Sequence, residues 1–198
     1  MAAESQPSRH AAGGPVPRVL VIGMGNVLMR DEGIGVRAVE ELEARYTLPD
    51  NVRVVDGGTT GMELFEPMRN ADCLIVADAV NADAPPGTRV RIANEEIRAF
   101  FQTKLSNHQL GLSDLLALLA FKGEMPRHVA IIGMVPHLLD NRLGLSEPAA
   151  EGLDAMVGML VDELARVGVV ATPRAEVRAG HWRRQAELER LEAVAACA

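Results

Sequence analysis

A short β-branched run, Val19 to Ile22, stops at Gly23-Met24-Gly25-Asn26 and gives way to a stretch with helical periodicity. No other feature restricts the fold so tightly. Apolar runs of this length suit strands buried on both faces of a parallel sheet. The two glycines allow a tight turn, and Asn26 tolerates the dihedrals such a turn needs. Asp31 reads as an N-cap, followed by a helix with Val36, Val39, Leu42 and Tyr46 on one face. Strand, glycine loop and helix in that order place a ligand site at the carboxyl end of the strand.

The loop is not a dinucleotide fingerprint. Leu28 stands where G-x-G-x-x-G requires its third glycine, and Asp31-Glu32 would repel a pyrophosphate. Two acids in a glycine-framed loop suit a cation better, although both also suit the start of a helix. A formal net charge of −7 argues against nucleic acid as the main partner. No apolar run has the length of a membrane span, and the first 17 residues lack the apolar segment of a secretory signal. Two cysteines, Cys73 and Cys197, make no disulfide framework, so a reducing cytoplasm is the expected location.

The pattern repeats along the chain. Asn51 to Val55 reads as a strand ending at Asp56-Gly57-Gly58, and Cys73 to Ala77 as a central strand ending at Asp78. Thr88 to Ile92 has the alternation of an edge strand, and His128 to Met134 is the last clear strand. Helices are expected over 62–69, 94–101 and 112–121, with Gly123 ending the last. A long one runs over 147–167, capped by Ser146 with Pro148 in its first turn. The prediction is one α/β domain over residues 18–174, its twisted, mostly parallel sheet flanked by helices on both faces. Residues 1–17 form a disordered extension, and 175–198 a charged tail with hints of an amphipathic helix but no core pattern.

Glu32, Asp56 and Asp78 therefore all fall at strand ends, which share one edge of a parallel sheet. His108, in the polar loop Ser106–Gly111, is positioned to add a nitrogen ligand. On spacing alone two readings fit. These acids cap the following turns, or they converge on a divalent cation such as zinc or nickel. His128, His137 and His181 read as non-ligands, and Cys73 as a packing residue. There is no G-x-S-x-G nucleophile elbow.

The blocks G-M-G-N-V-L-M-R-D-E-G-I-G-V (Gly23–Val36), D-G-G-T-T-G (Asp56–Gly61), A-D-A-V (Ala77–Val80) and S-N-H-Q-L-G-L-S-D (Ser106–Asp114) resemble the [NiFe]-hydrogenase maturation endopeptidases, in order, over Arg18 to Arg174. The last block is most similar to members serving uptake-type hydrogenases. The resemblance implies a phosphorylase/hydrolase-like α/β fold. It implies that Glu32, Asp78 and His108 are the catalytic, nickel-binding positions, with Asp56 as possible support. It also implies a metal-dependent hydrolase that removes a short C-terminal peptide from the hydrogenase large subunit precursor once nickel is inserted. The nickel is then met on the precursor itself. A non-catalytic nickel-recognising chaperone of the large subunit would use the same ligands.

Overall fold

The computed structural model describes residues 16–59, 61–97, 99 and 111–196. The expected disordered extension therefore lies almost wholly outside the described residues, and so does His108. Five strands form the main sheet: β1 (Val19–Met24), β3 (Val52–Gly58), β4 (Cys73–Ala79), β5 (Arg89–Ala93) and β6 (His128–Met134). Their order is β3-β1-β4-β6-β5. All pairings are parallel except that of β5 with β6. Every residue of β1 is buried, as its continuous apolar run requires of a strand covered on both faces. β5 is the antiparallel edge, and its exposed residues Arg89 and Arg91 keep that edge charged.

The pleat divides the core in two. Val19, Val21, Ile75 and Ala77 pack with α1 (Ile34–Arg45) and the long helix over Glu147–Arg166. Leu20, Ile22, Leu74 and Val76 pack with α2 (Phe65–Arg69) and α3 (Leu112–Lys122). The fold is thus a single three-layer α/β domain. The long helix, α4, starts as its sequence demands, with Ser146 Oγ accepting from the Ala149 amide. Gly123 ends α3 in the left-handed region, at φ 69°. Tyr46 lies past the end of α1, in β2 (Tyr46–Thr47), which pairs antiparallel with β7 (Thr172–Pro173), and from there it packs against the same core cluster as Val39 and Leu42.

Glu163, on α4, is 1% exposed, and three basic side chains surround its carboxylate. Arg91 grips it through Nε at 2.5 Å and a terminal nitrogen at 2.9 Å. His128 Nε2 lies 2.7 Å away, and Arg166 Nε 3.6 Å. Burial alone would push the Glu163 carboxyl up, but hydrogen bonds from Arg91 and His128 outweigh it and hold it below the usual range.

Beyond Arg174 the chain forms α5 (His181–Ala196). Glu40 of α1 accepts from the Trp182 amide (2.8 Å) and the Arg183 amide (2.9 Å), which places an anion at the start of α5. The Arg178 amide also donates to the Ala44 carbonyl, at 3.0 Å. Among the described residues, no helix is long and apolar enough to cross a membrane.

Candidate active site

The site is built where β1 stops. Gly23 pairs with Asp56, but Met24 pairs with Gly58, so the register slips just before the loop. Gly25 follows at φ 123°, and its amide donates to the Gly58 carbonyl at 2.8 Å. A Cβ there would lie 1.8 Å from the Glu32 carbonyl oxygen. Only glycine therefore lets the loop fold back against the turn carrying Glu32. Gly23 is held by space, not by positive φ: an added Cβ would meet the Gly35 carbonyl oxygen of α1 at 2.5 Å.

That turn is 3₁₀, over Arg30–Gly33. The expected capping role of Asp31 is not what the structure has. The N-cap position of α1 is Gly33, with no side-chain cap. Asp31 is 1% exposed and accepts four hydrogen bonds from the loop after β6. The donors are the His137 amide (3.0 Å), the Leu138 amide (2.9 Å), the Ser146 amide (2.7 Å) and Ser146 Oγ (2.7 Å). Its sequence neighbour has the opposite fate. Glu32 is half-buried, and its Oε2 is shut away from solvent with no hydrogen-bond partner among the described residues.

Asp78 is the penultimate residue of β4, a central strand. It is half-buried and alternates with Leu74 and Val76 on the α2–α3 side of the sheet. Its carboxyl is pushed up to about 7. Desolvation is the main cause and the Glu32 charge adds to it, against a partial offset from a hydrogen bond at the Ala79 backbone. Two acids 46 positions apart in the sequence have become electrostatic neighbours, as parallel strand ends allow.

Asp56 shares the sheet edge but not the pair. It follows Val52 and Val54 along β3, and those residues pack toward α1 and α4. Its carboxylate accepts from the Gly58 amide at 3.0 Å and from Trp182 Nε1 at 3.5 Å. The charge acting on Asp78 is that of Glu32. Among the described residues, no three His, Cys, Asp or Glu side chains converge closely enough to hold a metal ion. The two acids supply oxygen donors, and an imidazole from position 108 would come from outside the described residues.

Such a pair has two chemical uses. A carboxyl titrating near neutrality can take and return a proton. Two adjacent carboxylates, one with an unpartnered buried oxygen, also fit a divalent cation, which would relieve the repulsion between them.

Residues 36–163 match the family model described as "HycI: Hydrogenase maturation protease", a stretch that includes Asp78 and begins just after Glu32. The "Hydrogenase 2 maturation protease" of Escherichia coli K12 is 46% identical over 158 residues, 79% of this chain and 96% of its own length. "Hydrogenase expression/formation protein HupM" of Azotobacter chroococcum is 44% identical over 163 residues, 81% of this chain and 78% of its own. The solved structure of the E. coli hydrogenase maturating endopeptidase HybD aligns with a TM-score of 0.76 at 45% identity, covering 80% of this chain and 98% of that one. Fold, motif blocks and relatives agree, and the chain belongs to the hydrogenase maturation protease family.

Proposed function

We propose that this protein is a nickel-dependent endopeptidase of the cytoplasm that removes a short C-terminal peptide from the precursor of a [NiFe]-hydrogenase large subunit, after nickel has been inserted. The observation that carries this reading is the Glu32–Asp78 pair, two partly desolvated acids with one buried oxygen left unpartnered. An arrangement that is unfavourable when empty is what a site built to receive a cation requires. The names of the relatives supply the reaction class.

On this reading nickel belongs to the precursor, and the enzyme tests whether it has been loaded. Glu32 and Asp78 would bind through their carboxylate oxygens, with His108 as the nitrogen ligand. Bound there, the metal would polarise the scissile carbonyl or make a water more acidic. The rest falls to the chain. Asp78, whose carboxyl sits near 7 in the free protein, must release its proton on engagement, so binding is coupled to pH. Glu32, held on a short turn, presents its free oxygen with little reorganisation.

The test is incubation with nickel-loaded precursor, followed by mass spectrometry of the product. The precursor should lose the mass of a C-terminal peptide with the wild-type protein. It should keep its mass with Glu32→Gln or Asp78→Asn. A wild-type protein that binds loaded precursor but leaves its mass unchanged would be a nickel-recognising chaperone.

A further inference from the structure

We propose that Asp31 is a positioning residue: gripped by the loop over 137–146, it holds the turn that aims Glu32 at Asp78. The inference rests on the reading of Glu32 and Asp78 as the working pair. Both Asp31 oxygens are used. Oδ1 accepts from the Ser146 amide, and Oδ2 accepts from Ser146 Oγ and from the His137 and Leu138 amides. These partners lie 106 to 115 positions away in the sequence. The bonds therefore pin one strand-end loop to another rather than finishing a helix.

The backbone is pinned from the same side. The Arg30 amide donates to the Arg142 carbonyl at 3.0 Å, and the Asp31 amide to the Leu138 carbonyl at 3.3 Å. Met29 forms an isolated bridge with Arg142. Between these ties Arg30 sits at φ 51°, a left-handed conformation uncommon for a side-chain-bearing residue. Such a conformation persists only where its surroundings over-determine it. Glu32 is the residue this local arrangement delivers. Its Oε2 has no partner among the described residues, so its aim depends on the turn. Asp31 touches neither substrate nor metal in this scheme. It acts through its neighbour, as supporting residues do when a site must be held to within a fraction of an ångström.

Asp31→Asn is the informative change. It keeps the volume but turns an NH₂ group toward donors that need an acceptor. Met156→Ala is the control, because Met156 is fully buried on α4 and takes no part in the hydrogen bonds of Asp31, so its truncation destabilises the fold while leaving those bonds in place. Cleavage of nickel-loaded precursor would be measured over a range of precursor concentrations, corrected for the folded fraction of each variant. We expect Asp31→Asn to lower kcat at least tenfold, with KM changed less than about threefold, and Met156→Ala to leave kcat unchanged. Ser146→Ala added to Asp31→Asn should lower kcat little further, because the Oγ bond it removes is to the carboxylate that Asp31→Asn has already lost. Amide exchange at Glu32, whose N–H donates to the Met29 carbonyl at 3.2 Å, gives a readout independent of cleavage. It should quicken at least tenfold in Asp31→Asn and not in Met156→Ala. Wild-type kcat or unchanged Glu32 exchange in Asp31→Asn, or equal losses in the control, would overturn the proposal. Failure of the wild-type protein to cleave would instead sink the proposed function, with Glu32 exchange still deciding the positioning role.

Discussion

Glu163 and Asp78 are both acids withdrawn from water, and the fold treats them in opposite ways. Glu163 is surrounded by Arg91, His128 and Arg166, and its carboxyl is held below the usual range. Asp78 has another acid, Glu32, for a neighbour, and its carboxyl is pushed up to about 7. Burial penalises both charges. Only at Glu163 does the chain supply the compensation itself. The difference teaches where to look for work left undone: a self-sufficient buried charge needs nothing further, whereas an uncompensated one marks the place where the proposed cation would be received.

The comparison breaks most visibly in activity. Glu32→Gln and Asp78→Asn should each reduce precursor cleavage about a hundredfold or more, on the scale of losing an essential acid–base or ligand group. Their unfolding free energy should be unchanged or slightly higher, because each removes one of two repelling charges. Near-normal cleavage by both variants would end the idea of a shared site. Glu163→Ala should do the reverse. It strands a partly buried guanidinium and should lower stability by about 3 kcal/mol, leaving cleavage per folded molecule unaltered. Chemical denaturation and the cleavage assay, run on the same preparations, separate the two behaviours.

A pH series of unfolding free energies sharpens the contrast further. The folded pKa of Asp78 is raised above its unfolded value. Its contribution to stability is therefore whole below the ordinary aspartate range and is lost as pH rises through about 7. The folded pKa of Glu163 is lowered. Its contribution is present above the ordinary glutamate value and is lost as pH falls through the depressed one. Asp78→Asn should flatten the neutral limb of the metal-free protein, and Glu163→Ala the acid limb. If both variants flatten the same limb, the two acids do not differ as described. The smallest effect belongs to the segment after Arg174. Its side-chain ties to α1 are few and only partly buried, so ending the chain at Arg174 should lower stability by about 2 kcal/mol or less and spare cleavage. A loss of several kcal/mol would make α5 part of the core.

Much of this architecture is legible in the residues because its signals are local. Short apolar runs mark β1, β4 and β6, alternation marks β5, and a serine followed by proline marks the start of α4. Strand-end acids also put Glu32 and Asp78 on one edge, since parallel strands align their carboxyl ends. What escapes is what depends on distant partners. Asp31 reads as a cap because aspartate before a helix usually is one, and nothing nearby points to Ser146. Asp56 reads as a companion of Asp78, yet it follows residues that pack on the other face of the sheet, and its carboxylate accepts from Gly58 and Trp182. Glu163 looks like an ordinary acid on an amphipathic helix until Arg91 and His128 arrive from two strands. His128 itself reads as an incidental strand-start residue for the same reason.

The contact between Trp182 and Asp56 also has a practical side. The chain has a single tryptophan, and that indole is half-buried with its N–H 3.5 Å from a carboxylate at the sheet edge. Its fluorescence, excited where Tyr46 does not absorb, therefore comes from one known spot, beside the strand that neighbours β1. Unseating α5 should move the emission to the red and make it easier to quench with iodide or acrylamide. The protein thus carries its own optical probe of that edge.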